Sequence, residues 1–141
     1  MHHYSLPIRV YYEDTDLGGI VYHSNYLKYF ERARTEALRQ LGFELLNLYH
    51  EQGVQFVVHS ANLEFIQPAR LDQLLYVRTC IENMGYASIM YQQSIHLQEK
   101  TTAPLCMAKI KLVCVNKDLK PCAIPEVLSR EIKSDRKSIV N

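Results

Sequence analysis

The chain predicts an α+β fold, in which an antiparallel sheet of about five strands wraps around one long central helix. Three features point there. A strongly patterned helix follows an acidic, glycine-containing loop early in the chain. Four runs rich in β-branched and aromatic residues come after it. Short turn-like segments link most of those runs, as antiparallel neighbours allow.

Each element has its own signal. Residues 6–12 read as a strand, and a loop around Asp16 separates them from a helix over residues 24–40. Gly42 is placed to stop that helix. Residues 43–52 read as a short amphipathic turn or helix, ended by Gly53. Strands are expected over residues 54–66, 74–84, 87–98 and 105–115. Hairpin turns at 83–85 and 99–102 join the last three, while 68–72 makes a wider reversal. Pro121 and Pro125 break the chain before a small C-terminal helix. No repeat or linker divides the sequence, so residues 1–141 are expected to form one domain.

Composition narrows the class. An apolar share of 48% with 22% charged residues is ordinary for a soluble globular protein. Lys and Arg number 16 against 15 acidic residues, and that balance argues against a chain devoted to nucleic acid. No apolar stretch approaches the roughly 20 residues of a membrane span. The opening MHHYSLP lacks a hydrophobic signal core, so a cytoplasmic location is expected; its His pair is either native or a remnant of expression. Cys80, Cys106, Cys114 and Cys122 show no CxxC spacing, which favours reduced structural thiols over a zinc site. The tail from Arg130 to Lys137 is basic and polar and reads as a frayed, solvated end.

On a helical wheel, Tyr26, Phe30, Ala33, Ala37 and Leu41 form one stripe, widened by Leu27, Tyr29 and Leu38. Lys28, Arg32, Thr35, Glu36 and Arg39 oppose it. So broad an arc predicts a helix largely enclosed by protein. Ser24 or Asn25 reads as its N-cap, leaving neighbouring N–H groups for a ligand. Arg34 falls inside the apolar arc. Its guanidinium must snorkel outward or meet a carboxylate, with Glu31, Glu13, Asp14 and Glu64 as candidates.

The later strands point to self-association. Leu75, Val77, Thr79 and Ile81 make an inward face opposite Tyr76, Arg78 and Glu82. Residues 105–115, by contrast, are apolar on both parities. One helix covers only one face of a sheet, so a symmetric partner chain is expected to cover the rest.

The chemistry concentrates in YYEDTDLGGIVYHSNYLKYFERARTE, residues 11–36. Glu13, Asp14 and Asp16 run into Gly18 and Gly19, and His23, Ser24 and Asn25 lead into the helix. A Gly-hinged loop is able to deliver Asp16 to the positive end of that helix. A carboxylate beside free backbone N–H donors is the minimum for attack on a carbonyl. The plainer reading is an acidic turn before an ordinary capped helix.

This run resembles the signature of the hotdog-fold acyl-CoA thioesterases. Within them it is similar to the 4-hydroxybenzoyl-CoA thioesterase-like branch and its YbgC type, associated with the Tol–Pal system. A weaker likeness continues through VQFVVHSANLEFIQPARLD and KIKLVCVNKDLKPCAIP, so it spans about residues 7–125. The resemblance implies a sheet around a central helix, homodimers or homotetramers with sites between chains, and acyl-CoA hydrolysis with no cofactor or metal. It places the catalytic carboxylate at Asp16 and the oxyanion donor at the backbone N–H of His23. It also implies a His side chain at position 23 and a tyrosine before the acidic loop, Tyr12, as site residues.

The bare chemistry agrees. A thioester releases a thiolate whose parent thiol has a pKa near 8.5, so a strong general acid is dispensable. Asp16 serves as nucleophile or general base, and the sequence leaves both open. His23 orients water or substrate, or simply caps the helix. Tyr12 is a polar pocket wall or an amphipathic strand residue. His59 and Ser60 are candidates to contact pantetheine, with buried strand positions as the plainer reading. Two rival functions remain: a hotdog dehydratase, and a non-catalytic acyl-CoA or acyl-carrier-protein binding module. A serine hydrolase is disfavoured because no GxSxG is present.

Overall fold

Residues 3–137 are described by a computed structural model of the chain. In order, the elements are β1 (Tyr4–Arg9), α1 (Asn25–Gln40), α2 (Leu45–Asn47), β2 (Gln55–Phe65), β3 (Leu74–Met84), β4 (Ser88–His96), β5 (Cys106–Val115) and α3 (Glu126–Lys137). The five strands form one antiparallel sheet in the order β1-β3-β4-β5-β2. The expected α+β architecture is therefore present. Of the N-terminal His pair, His2 lies outside the described residues.

The first strand stops earlier than its sequence suggests. Residues Tyr12–Asp14 wind into a 3-10 turn instead of extending it. The Asp14 carboxylate causes this by accepting the Tyr11 N–H at 2.9 Å, which removes a donor the ladder would need. Pro7 is tolerated in β1 because this is an edge strand, paired only with β3.

Helix α1 buries Tyr26, Tyr29, Phe30, Ala33, Arg34 and Leu38. It packs mainly on β3 and β1, and Gln93 of β4 also reaches it. Leu27, counted in the apolar arc, is 43% exposed. The enclosure is thus one-sided, and a second helix, α3, shares the core through Leu128 and Ile132. Neither expected cap side chain closes the helix start. Ser24 makes no side-chain cap bond, and the Asn25 amide instead donates to the Asp14 carbonyl at 2.8 Å. At the other end Gly42 takes φ +95°, where a side chain would be strained, and its N–H closes on Arg39 O.

Arg34 does not snorkel, and among the described residues it meets no carboxylate. Only 7% exposed, its Nη1 donates to Gln93 Oε1 at 3.0 Å, and the guanidinium lies 5.9 Å from the Tyr91 ring centroid. The Gln93 amide nitrogen donates in turn to Phe30 O at 2.9 Å and to Thr79 Oγ1 at 2.8 Å. Burial pulls the Arg34 pKa below its ordinary value, with Tyr91 and Glu31 opposing.

Two further expectations change. Strand β5, apolar on both parities, is a central strand between β4 and β2, so its edges are already paired. The sheet's two edges are β1 and β2, and residues 57–62 of β2 are exposed. The basic C-terminal stretch is helical through Lys137 and anchored by buried Ile132, since Leu128 and Ile132 fall one turn apart on one face. Cys80, Cys106 and Cys114 lie buried in strands. Burial pushes Cys106 and Cys114 up to about 12.

Candidate active site

The loop between β1 and α1 is built around two carboxylates with different tasks. Asp14 is structural. Its side chain holds Tyr11 N–H, and its carbonyl accepts both the Tyr22 N–H at 2.9 Å and the Asn25 side chain at 2.8 Å. One residue therefore joins the strand end to the helix start. Asp16 lies inside the small hairpin that this closes. Its N–H donates to Ile20 O at 2.9 Å, and Thr15 pairs with Val21.

The Asp16 side chain is exposed and half engaged. Oδ1 accepts the Gly18 N–H at 2.9 Å, an Asx turn that fixes the carboxylate's direction. No hydrogen bond to Oδ2 forms among the described residues. Gly19 has φ +76°, which lets the loop reverse tightly right after the carboxylate.

A second clasp fixes this loop from outside. Val21 N–H donates to Ala69 O at 2.8 Å, and Leu71 N–H donates to Gly19 O at 3.0 Å. Residues 69–71 belong to the connection from β2 to β3. Tyr26 completes the clasp, its hydroxyl accepting the Ala69 N–H at 3.1 Å. Burial raises the Tyr26 pKa, with the Ala69 bond opposing. Deeper still, the enclosed Tyr29 hydroxyl has no well-aligned partner among the described residues, and burial first, then the Asp14 carboxylate, raises its pKa.

His23 lies two residues before α1, exposed, with its ring 4.6 Å from Tyr22 and edge-on to Phe65 at 6.4 Å. Neither the His23 nor the Ser24 N–H has a hydrogen-bond acceptor among the described residues. Both stand at the positive end of a helix of 16 residues. Tyr12 is 82% exposed in the 3-10 turn, so it is a loop residue and not an amphipathic strand tyrosine.

The fold thus gathers Tyr12, Asp16 and His23 into one loop system. It does not bring His59 and Ser60 there. Both are exposed on β2, at an irregularity where the register with β5 shifts after Val58, so the buried-strand reading fails. The β2 residue that does reach His23 is Phe65, and His59 lies six strand positions away, about 20 Å at the usual rise.

A family model described as the thioesterase superfamily matches residues 18–103 of this sequence. The chain belongs to that superfamily. The acyl-CoA thioesterase YbgC of Haemophilus influenzae is 44% identical over 124 residues, covering 87% of this chain and 89% of the relative. The Helicobacter pylori acyl-CoA thioesterase YbgC is 40% identical over 126 residues, covering 84% and 92%. Among solved structures, a probable thioesterase from Bartonella henselae superposes with a TM-score of 0.83 at 35% identity, covering 88% of this chain and all of the other. A DHNA-CoA thioesterase from Staphylococcus aureus gives 0.86 at 25% identity, covering 100% and 95%. The protein is accordingly a thioester hydrolase with acyl-CoA thioesterase relatives.

Two parts of this thioesterase's loop system were invisible in the sequence. Phe65 and the 69–71 clasp reach the helix start only through long-range pairing, and no local spacing marks them. The extended alternation of β2 placed Phe65 in a strand but gave no hint of which strand end meets the helix.

Proposed function

We propose that this thioesterase hydrolyses acyl-CoA to a free carboxylic acid and CoA, with Asp16 as nucleophile or general base and the His23 N–H as oxyanion donor. One observation carries the reading: the 15–21 hairpin and the Asp14 bonds hold an exposed carboxylate and the unengaged N–H groups of the α1 start in a single closed loop. A carbonyl at the helix start would have its developing charge met by backbone donors, each typically worth ~10²–10³ in kcat. Asp16 has one oxygen fixed by Gly18 and the other available, the state required of either role. His23's ring and Tyr12, both exposed in the same loop, are the further site residues of this reading.

The assembly belongs to the same proposal. A homodimer or homotetramer, acting in the cytoplasm where its four thiols stay reduced, would cover the open β2 edge. His59 and Ser60 are too far along β2 to serve their own chain's Asp16, so they would contact pantetheine in the partner's site. The test is thiol release from acyl-CoAs of graded length and aromaticity, and from an acyl-carrier-protein thioester, by wild type and Asp16→Asn. The variant should lose at least ~10²-fold in turnover with folding and assembly unchanged. Near-wild-type turnover would remove Asp16 from the mechanism, and tight acyl-CoA binding without thiol release would make the protein a binding module.

A further inference from the structure

Phe65 stands where the sheet would be expected to bury it. Its register partner on β5 is the buried Cys106, which places the ring on the side of the sheet that carries α1. Yet it remains 53% exposed. Its two ring neighbours define the opening it occupies. It meets His23 nearly perpendicular, at 84° and 6.4 Å, and Tyr26 tilted at 5.5 Å. The Tyr26 hydroxyl is tied to the Ala69 N–H, so that residue presents only carbon to the shared surface. A scattered exposed apolar side chain needs no explanation. An aromatic ring held open directly beside the donor end of α1 is a different case.

We propose that Phe65 is a specificity-determining residue, walling the acyl group from its β-carbon outward and selecting apolar chains and rings over acyl groups that carry charge or hydroxyl there. This rests on the proposed placement of the thioester carbonyl at the α1 start. The Phe65 and Tyr26 faces offer methylene or aryl groups dispersion and edge-to-face contact. They offer a carboxylate or hydroxyl no hydrogen bond, and desolvating such a group against two rings is unfavourable. Discrimination by an apolar wall is of the order of 10–200-fold per group recognised.

The experiment compares wild type, Phe65→Ala and Phe65→Leu by kcat/KM on acetyl-, hexanoyl-, benzoyl- and succinyl-CoA. In parallel, calorimetry measures binding of the non-hydrolysable thioether analogues of acetyl- and hexanoyl-CoA. For Phe65→Ala the hexanoyl-to-acetyl and benzoyl-to-acetyl ratios should fall about tenfold, and the succinyl-to-hexanoyl ratio should rise. Phe65→Leu should keep most of the hexanoyl preference and lose more of the benzoyl preference. Equal losses on every substrate, or unchanged ratios, overturn the proposal and leave the hydrolytic reading standing. Thioether binding that depends on Phe65, in a wild type that hydrolyses nothing, keeps the wall and overturns the hydrolytic reading. A wild type that neither binds nor hydrolyses any of the panel overturns both.

Discussion

Asp14 and Asp16, two residues apart, have opposite surroundings: one carboxylate is tied to Tyr11 and the other is half free in an exposed turn. The same separation of roles applies within His23, whose N–H and imidazole are distinct groups. His23→Ala keeps the N–H, whereas His23→Pro deletes it and still suits a helix start. Turnover should fall about 10²-fold or more for Pro and much less for Ala, with α1 verified by circular dichroism. Equal losses would assign the effect to the imidazole. His96 makes a separate prediction, about pH and stability. It is 2% exposed, with Nε2 2.7 Å from Ser94 Oγ and Nδ1 unpartnered among the described residues. Burial first, then the Arg78 guanidinium, depresses its pKa below the ordinary 6.5. The unfolded chain then binds the proton more readily than the folded one. His96 should therefore cost no stability above about pH 6.5 and progressively more as pH falls below it toward the folded value. Melting curves between neutral and mildly acidic pH should slope accordingly, and His96→Gln should flatten them; an unchanged slope would exclude His96 as its source.

At the level of elements, α1 and the sheet are locked by a polar unit inside an apolar contact. Gln93 serves Arg34, Phe30 and Thr79 together, so losing it strands a buried guanidinium. Gln93→Leu should cost roughly 3–5 kcal/mol, as breaking a buried charge interaction does. Arg34→Met leaves only the Gln93 oxygen unpaired and should cost about 1–3 kcal/mol. The double variant should recover part of the Gln93→Leu loss. Urea denaturation gives the order, and an Arg34→Met variant less stable than Gln93→Leu would contradict it. The sequence marked Arg34 as anomalous through its wheel position but named the wrong partners. Helical spacing reveals which side chain is enclosed, whereas its partner depends on β4 packing across α1, a contact far away in sequence. Strand β3 was legible almost to the residue because its inward face alternates cleanly, and β5 because its apolar run stands between turn-like segments. The end of β1 was not, because a side-chain bond from Asp14 outcompeted the ladder.

At the level of the whole molecule, an open β2 edge bearing Val57 and Val58 would be an aggregation hazard if left bare. Light scattering should find a dimer or larger at micromolar concentration, and Val58→Lys should shift it toward monomer and lower turnover. A stable monomer with full activity would contradict the intersubunit site. Self-association is what a surplus of apolar strand surface in the sequence leads one to expect. Which strands form the edges was not legible there, since the β1-β3-β4-β5-β2 order depends on pairing across the entire chain.

The irregularity in β2 also sets a counting rule. Before His59 the even-numbered residues, Phe56 and Val58, oppose buried β5 partners; after it the odd-numbered ones do, Ala61, Leu63 and Phe65. The extra residue shifts the strand's phase by one. Phe65 therefore reaches His23 only because the number of residues between the irregularity and the strand end has the right parity. Val58 and Phe65 are seven positions apart while their partners Leu112 and Cys106 are six apart, so without the irregularity the ring would turn to the far face. Along this strand, length carries as much of the site's specification as residue type.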